Sequence, residues 1–288
     1  MRSGFINFFG RPNAGKSTLL NFLMGEKLAI VSSKVQTTRH RIKGILTEDD
    51  FQLVFSDTPG IIDPKYPLHH RMMEAVRSAL EDGDLALLLV DVTSDLSESD
   101  QIFSGLKLTA PAWVMLTQAD KASAATIKAA IQFFEAKSYA QKIMPVSAKR
   151  PADRNTLLTA LVQAMPEAPP FFPGDEISDA QTRFFASELI REKIFELTTD
   201  EIPYHTTVMV REFQEKTTLT KIVADIIVYR ESQKAILIGE RGSMIKKLGT
   251  AARQSIEEFL DRKVFLELFV KVRPKWREND LFLDEYGY

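Results

Sequence analysis

The 288-residue chain contains no cysteine, and this absence removes several classes of chemistry. Disulfide frameworks, thiolate nucleophiles and cysteine-ligated zinc are excluded. No apolar run approaches the ~20 residues that a membrane-spanning helix requires, and the N-terminal stretch lacks the apolar core and cleavage site of a signal peptide. The formal net charge of −2 says nothing about nucleic acid by itself, because a local basic patch can be hidden in a near-neutral total.

The first part of the sequence alternates short apolar runs with helical patterns. Such an alternation indicates an α/β domain with a mostly parallel sheet. The stretch RIKGILT reads as one further strand, paired as a hairpin at the edge of the sheet. The predicted strands are 5–9, 51–55, 85–90, 112–116 and 143–146.

The stretch MPEAPPFFPGD, residues 165–175, interrupts this alternation. Four prolines and one glycine in it cannot continue a helix or a central strand. We therefore predict two domains, 1–170 and 171–288. The second follows the order helix, strand, strand, helix, helix, strand, with its first helix at about 179–199, which indicates a smaller α+β domain. FFASELIREKIF in that helix could contact a membrane, but core packing of its apolar face is the first interpretation.

The stretch GRPNAGKS, residues 10–17, matches the phosphate-loop pattern G-x-x-x-x-G-K-[ST] in full. It also has the required context, an apolar strand before it and the helical TLLNFLMG after it. Glycines let backbone N–H groups curve around phosphates, Lys16 reaches phosphate oxygens as a point charge, and Ser17 offers a hydroxyl to Mg²⁺. The alternative is an ordinary strand–loop–helix corner that contains glycine. Nucleotide contacts are predicted for Gly10, Asn13, Ala14, Gly15, Lys16, Ser17 and Thr18.

Two more motifs extend this predicted site toward the γ-phosphate. DTPG, residues 57–60, ends the apolar strand FQLVFS; an aspartate there can hold Mg²⁺ through water, and Gly60 lets a backbone N–H approach the γ-phosphate. QTTRH, residues 36–40, lies on a predicted loop where a threonine can give Mg²⁺ another hydroxyl. The predicted magnesium ligands are Ser17, Thr38 and Asp57, with Gln36 and Thr37 as further nucleotide contacts.

The ends of the next two strands carry LTQAD, residues 116–120, and VSAK, residues 146–149. Asp120 can accept hydrogen bonds from the N1 and N2 groups of guanine, which adenine lacks. The backbone of Ser147 and Ala148 can meet the base oxygen. The predicted base site therefore contains Thr117, Gln118, Asp120, Ser147, Ala148 and Lys149.

These five segments, in this order and spacing, resemble the G1 to G5 motifs of translation-factor-class GTPases, and GRPNAGKSTLLN, QTTRHRI and DTPGI resemble the Era family in particular. The family's fourth motif is usually N-K-x-D, whereas this chain has Thr117 and Gln118 before an alanine and Asp120. We expect Thr117, shorter than asparagine, to lose part of the pocket's hydrogen bonding, and Gln118 to keep a stem for the base without the charge.

The resemblance also implies a route for hydrolysis. Ras-type GTPases orient water with a glutamine directly after D-x-x-G, but Ile61 stands there and has no donor or acceptor. Asn13 resembles the asparagine that helps hold K⁺ near the β,γ-bridge in the wider Era-related class, where the cation neutralises developing charge. A simple turn residue is the alternative for Asn13. The residues predicted to act in hydrolysis are Asn13, Lys16, Thr38 and Gly60.

The second domain contains G-x-x-G at residues 239–242, between two helical segments. In this element order it resembles a type II KH domain, whose G-x-x-G loop clamps the backbone of single-stranded nucleic acid. Between residues 211 and 277 there are 15 lysines and arginines against 9 acidic residues, an excess of six that suits phosphate contacts. Predicted RNA contacts are Ile238, Gly239, Glu240, Arg241, Gly242, Ser243, Ile245, Lys246, Lys247, Lys271, Arg273, Lys275 and Trp276, although packing is an equal alternative for Trp276.

The resemblance covers nearly the whole chain and implies a cytoplasmic, monomeric GTPase that uses GTP, GDP, Mg²⁺ and K⁺. Its implied partners are the 3′ end of small-subunit ribosomal RNA and the 30S subunit, whose assembly it would assist; a fraction peripherally associated with the inner membrane is a further expectation. Two alternatives remain, a small-molecule kinase that uses the phosphate loop and an RNA-binding scaffold with a degenerate, non-hydrolysing nucleotide site.

Overall fold

The computed structural model describes residues 1–32 and 34–288, which form two compact units. Unit 1 comprises Met1–Ala29, Thr38–Pro64 and His69–Asp179. Unit 2 comprises Ala180–Tyr288 together with two short segments, Ile30–Thr37 and Lys65–Leu68.

Unit 1 is a six-stranded sheet with helices between its strands. The strand order is β2-β3-β1-β4-β5-β6, and only β2 runs antiparallel to its neighbour, as the predicted hairpin requires. The predicted α/β phosphate-loop domain with a mostly parallel sheet is thereby confirmed. Its elements are β1 (Arg2–Gly10), α1 (Lys16–Met24), β2 (Ile42–Glu48), β3 (Phe51–Asp57), α2 (Pro67–Glu81), β4 (Leu85–Asp91), α3 (Leu96–Ser104), β5 (Ala112–Thr117), α4 (Ala124–Glu135), β6 (Lys142–Pro145) and α5 (Pro151–Ala164).

The central strands of unit 1 are buried on both faces, which is why they read as nearly continuous apolar runs in the sequence. Parallel strands end at the same edge of a sheet. That edge therefore collects Gly10 from β1, Asp57 from β3, Asp91 from β4 and Thr117 from β5. The polar residues that follow apolar strands in the sequence thus become neighbours.

The proline-rich segment stays with unit 1 beyond the predicted boundary at residue 170. Ile45 donates its N–H to Ile177 O at 2.9 Å, and Ser178 Oγ donates to Lys43 O at 2.5 Å. Lys43 also pairs with Asp179 at 2.8 Å. The segment lies along β2, so the compact unit ends at Asp179, because hydrogen bonds hold the linker where composition alone suggested a break.

Unit 2 has the element order that the sequence predicted, with short helices added before the first strand and at the C-terminus. Its sheet has the order β7-β8-β9, with β7 and β8 antiparallel and β8 and β9 parallel. The KH domain is confirmed. Its elements are α6 (Thr182–Leu197), α7 (Ile202–His205), β7 (Thr207–Glu215), β8 (Thr220–Val228), α8 (Glu231–Ile238), α9 (Ser243–Leu260), β9 (Val264–Val272) and α10 (Asp280–Glu285).

The core of unit 2 lies between one face of this sheet and the long helices. Ile222, Ala224 and Ile226 of β8 pack in the same cluster as residues of α6 and α9. The apolar side chains of FFASELIREKIF are mostly buried there, with Ile190 and Ile194 fully enclosed, so core packing accounts for this stretch and the suggested membrane contact does not. Among the described residues, no helix combines the length and the apolar character needed to cross a bilayer.

Candidate functional site

The phosphate loop connects β1 to α1 through backbone conformations that suit glycine. Gly15, directly before the helix, has a φ of 91°, in the left-handed region. Asn13 has a φ of 64° and is exposed, a conformation that asparagine tolerates better than most residues. The loop therefore ends at a helix N-terminus, where backbone N–H groups and the helix dipole favour an anion.

Lys16 is the first residue of α1 and its side chain folds back into the loop. Its Nζ donates to Gly10 O at 3.1 Å and to Arg11 O at 2.9 Å, and the residue is almost fully buried. Burial lowers the pKa of Lys16 to about 8, and the nearby Asp57 carboxylate opposes that shift. Both hydrogen-bond acceptors of this ammonium among the described residues are neutral carbonyls, so a phosphate would give it a stronger, charged partner.

Ser17, Thr38 and Asp57 bring three oxygen-bearing side chains together at the end of β3. Ser17 Oγ lies 2.6 Å from Asp57 Oδ2 and 2.8 Å from Thr38 Oγ1, while Thr38 Oγ1 lies 3.2 Å from Asp57 Oδ2. Asp57 is fully buried, which raises its pKa to about 6 against the opposing effects of Lys16 and the two hydroxyls. The predicted set of magnesium ligands is assembled here by segments far apart in the sequence.

The environment of the second carboxylate oxygen of Asp57 indicates whether these residues could bind a cation. Asp57 Oδ1 is buried and has no hydrogen-bond partner among the described residues. A buried carboxylate oxygen without a donor is costly, and a hard divalent cation that prefers oxygen ligands removes that cost. The donor set therefore fits Mg²⁺.

Gly60 lies against the phosphate loop, as the prediction for DTPG requires. A Cβ at Gly60 would lie 2.7 Å from Pro12 N and 2.9 Å from Pro12 Cα, so no larger residue fits without displacing the backbone. Ile61 donates its N–H to Gly10 O at 3.0 Å.

Gln36 and Thr37 belong to the segment grouped with unit 2, and their nucleotide contacts, like that of the exposed Thr18, stay predictions.

The predicted base site forms where β5 and β6 end. Asp120 Oδ1 accepts a hydrogen bond from Ser147 Oγ at 2.7 Å, and Asp120 Oδ2 lies 3.2 Å from Lys149 Nζ. The Ser147 hydroxyl is the main cause that holds the pKa of Asp120 below its usual value. Ser147 N–H in turn donates to Asp153 Oδ2 at 2.8 Å, which fixes the loop containing Ala148. Asp120 is thus an oriented, ionised acceptor.

Thr117 makes a contact that the sequence does not reveal. Its hydroxyl oxygen lies 2.9 Å from Ala14 O and 3.1 Å from Val90 O, and the side chain is buried. Strand β5, which leads into the predicted base site, is therefore linked directly to the phosphate loop. The shorter side chain still reaches the loop carbonyl, and its single proton can serve one of the two carbonyls at a time, so the expected loss of part of the pocket's hydrogen bonding stays a prediction.

The G-x-x-G loop of unit 2 joins α8 to α9 in the predicted way. Gly239 has a φ of 73°, and a Cβ there would lie 2.7 Å from both Met244 N and Met244 Cβ. Gly242 has a φ of 78°, and a Cβ there would make only an ordinary van der Waals contact, with Ile245 Cγ2 at 3.9 Å. Glu240, Arg241 and the neighbouring Ser243 are exposed, so a strand of nucleic acid can approach the loop backbone.

A groove of about 340 Å³ continues from this loop between α9 and β9. It combines an apolar floor with polar and cationic rims, which suits bases and phosphates respectively. Ile238 and Ile245 are both partly buried, and Ile245 also packs against the core. The residues that line the groove are Ile245, Lys246, Gly249, Thr250, Arg253, Leu266 and Leu268. Gly249, Thr250 and Arg253 were missed by the sequence reasoning, although they follow Lys246 at helical spacing.

Several predicted RNA contacts are not in this groove. Lys271 alternates with the groove-lining leucines of β9, so it faces the other side of the sheet, where it pairs with the buried Asp225 at 2.6 Å. Trp276 is fully buried, donates its indole N–H to His205 O at 2.9 Å and stacks on Tyr288. The prediction that Trp276 contacts RNA is wrong because its ring is enclosed. Lys247, Arg273 and Lys275 are exposed, and their RNA contacts stay predictions.

Comparison with known proteins matches both halves of this architecture. A family described as 50S ribosome-binding GTPase matches residues 5–118, and the KH domain family matches residues 201–277. The chain is 43% identical over 293 aligned positions to GTPase Era of Geobacter metallireducens, covering 100% of this chain and 98% of that protein. It is 42% identical to GTPase Era of Clostridium kluyveri, covering 100% and 99%.

Two solved structures are similar over the full length. Both superpose with a TM-score of 0.95 at 36% identity, covering 100% of this chain and 99% of the other. One is an Aquifex aeolicus Era variant bound to GDP and AlF4⁻. The other is Era in complex with MgGDPNP and nucleotides 1506–1542 of 16S ribosomal RNA.

Proposed function

The chain belongs to the Era family of GTPases, and we propose that it binds and hydrolyses GTP, binds the 3′ end of small-subunit ribosomal RNA and assists assembly of the 30S subunit. The observation that carries this proposal is the oxygen cluster of Ser17, Thr38 and Asp57 beside the buried Lys16. The same chain also carries an exposed G-x-x-G loop and its groove. A relative crystallised with both ligand types supports joining the two activities.

We propose separate tasks for these residues in nucleotide binding. The phosphate-loop N–H groups and Lys16 bind the phosphates, and Lys16 exchanges its two carbonyl partners for phosphate oxygens. Ser17, Thr38 and Asp57 would hold Mg²⁺, which neutralises charge on the β- and γ-phosphates when bound. Asp120, held by Ser147, accepts hydrogen bonds from guanine and repels adenine, which offers no donors in those positions.

Hydrolysis requires a group other than the side chain after Gly60, because Ile61 cannot orient water. We propose K⁺ as the activating cation, with Asn13 on the exposed crest of the phosphate loop as its side-chain ligand. Gly60 packs its Cα directly against Pro12 of the phosphate loop, which keeps its backbone next to the proposed γ-phosphate position.

RNA binding is proposed at the G-x-x-G loop and the adjoining groove. The loop backbone admits phosphate, Lys246 and Arg253 supply positive charge, and the leucines of β9 provide an apolar floor for bases. We propose that the protein acts as a monomer in the cytoplasm, where ribosomes are assembled. A peripheral membrane fraction would need a surface other than the apolar face of α6, which is buried.

Single-turnover GTP hydrolysis with and without an oligonucleotide of the ribosomal RNA 3′ end tests this proposal. Thr38→Ala should lose Mg²⁺-dependent hydrolysis, whereas Thr159→Ala, at a threonine bonded only to its own helix, should not. RNA binding with no hydrolysis in K⁺ buffer would favour the scaffold alternative, and ATP competing equally with GTP would favour a kinase.

A further inference from the structure

Three polar side chains form a continuous hydrogen-bonded series that joins the end of β4 to the turn after β5. Gln118, directly after the strand, donates its side-chain amide N–H to Asp91 Oδ2 at the end of β4. The amide oxygen of Gln118 accepts a hydrogen bond from Lys121 Nζ. A carboxylate, an amide and an ammonium are therefore linked in the order Asp91, Gln118, Lys121.

Both ends of this series are fixed by the backbone around them. Asp91 Oδ1 accepts from the N–H and the hydroxyl of Thr93 at 2.9 and 2.6 Å. Lys121 N–H donates to Gln118 O at 2.9 Å, which closes the short helical turn that contains Asp120. Because the amide is engaged at both its nitrogen and its oxygen, it cannot rotate without breaking a hydrogen bond to a charged group.

The series links one anion and one cation although the residue between them, Gln118, is neutral. A lysine at position 118 would pair directly with Asp91, but Gln118 carries no charge. Lys121 supplies the missing positive charge from the far side of the turn, so one anion and one cation are still linked through one side chain. Asp120, the predicted guanine reader, lies between Gln118 and Lys121 in the same turn.

We propose that Gln118 and Lys121 act as one base-positioning unit in guanine-nucleotide binding. Gln118 provides the stem at the base site, and Lys121 holds that stem in place and restores the charge. Lys121 acts through Gln118 and is therefore a positioning residue. The inference rests on the proposed function, because it takes the guanine base to bind at Asp120.

A double-mutant cycle on the full-length protein tests the unit. Lys121→Gln should raise the KM for GTP about two- to fivefold, the range expected for an exposed charged contact, and leave kcat within about twofold, because the γ-phosphate site is untouched. Gln118→Lys alone should also raise the KM, since Lys121 then loses its amide-oxygen partner and meets a second ammonium group in its place. The double variant should return toward the wild-type KM because it restores one cation beside Asp91.

Control variants distinguish a role of Lys121 in positioning Gln118 for GTP binding from a general effect on the stability of the protein. Lys121→Arg keeps the charge and should keep the KM, and Lys128→Gln changes an exposed lysine on the following helix and should have no effect. The inference is overturned if the two substitutions are additive, or if Lys121→Gln lowers thermal stability without changing the KM. A wild-type protein that does not bind GTP contradicts the proposed function itself, whereas GTP binding with an additive cycle contradicts only the pairing of Gln118 and Lys121.

Discussion

Replacing Thr117 by valine removes one hydroxyl and keeps the volume of the side chain. The hydroxyl contacts Ala14 O at 2.9 Å and Val90 O at 3.1 Å in a buried position, and its single proton can serve one of them at a time. Losing such a bond costs about 0.5–1.5 kcal/mol, and an acceptor left without its donor raises this to about 1–3 kcal/mol. We therefore expect the free energy of unfolding of the nucleotide-free protein to fall by about 1–3 kcal/mol.

The same substitution should weaken nucleotide binding in a characteristic way. Ala14 immediately precedes Gly15 in the phosphate loop, so a loosened carbonyl affects the loop that binds phosphate rather than the base reader. Affinity for GTP and for GDP should fall by the same factor, about 2–12-fold for a loss of 0.5–1.5 kcal/mol. The preference for GTP over ATP should not change, because the contact between Ser147 and Asp120 remains intact.

Three measurements check this prediction: titrations with GTP and GDP, a GTP–ATP competition, and chemical denaturation without nucleotide. Thr117→Ser is the matched control, since it retains the hydroxyl and should stay near wild type in nucleotide affinity. Unchanged affinity and stability in Thr117→Val would refute the link between β5 and the phosphate loop. A changed GTP–ATP preference would instead assign Thr117 to base reading.

Four further outcomes follow from the two sites. Lys16→Ala should abolish tight GTP binding, because each charged hydrogen bond contributes about 1.5–3 kcal/mol; an affinity within threefold of wild type would contradict the assignment. GTP hydrolysis should be faster in K⁺ than in Na⁺, and Asn13→Ala should remove the difference; equal wild-type rates in the two salts reject the cation role. Gly242→Asp should weaken binding of a ribosomal 3′-end oligonucleotide in a filter-binding assay, since it would place a carboxylate in the loop proposed to meet phosphate, at a φ of 78° that side chains rarely adopt; unchanged binding contradicts the proposed RNA site. Burial raises the pKa of Asp57 from 3.8 to about 6, so the folded state binds that proton more tightly than the unfolded state. The unfolding free energy of the metal-free protein should therefore fall as the pH rises from about 4 to about 6. Asp57→Asn should lose this pH dependence, and equal pH dependence of the unfolding free energy in the two proteins, measured by denaturation, contradicts the prediction.

The phosphate loop could be predicted from the sequence because its chemistry is local. Two glycines, a lysine and a serine at fixed spacing, placed between an apolar strand and a helix, specify the backbone path and the charge together. The order of elements in both units was predictable for a similar reason, since strands buried on both faces read as apolar runs. The place of Asp57 was predictable because it ends such a run, and that of Asp120 because it lies in the turn directly after one.

Contacts between segments distant in sequence could not be predicted. Thr117 reaches a carbonyl in the phosphate loop, and Gln118 reaches Asp91 on another strand. Neither contact leaves a pattern in the residues near it. The buried environment of Trp276 depends on residues at the C-terminus that pack around it, so an aromatic residue among basic neighbours suggested RNA where the structure has a core.

The departure of the fourth motif from N-K-x-D shows how the two kinds of information combine. From the sequence alone, Thr117 has a shorter side chain than the usual asparagine, and Gln118 lacks the charge of the usual lysine. Both changes suggest a weaker guanine site. In the structure the threonine hydroxyl still reaches Ala14 O, and Lys121 brings a positive charge to the glutamine. Because hydrogen bonds and charge depend on where atoms lie rather than on which position supplies them, neighbouring residues can replace what the motif lacks. The guanine site should therefore tolerate the loss of N-K as long as Ala14 O and Asp91 keep their partners.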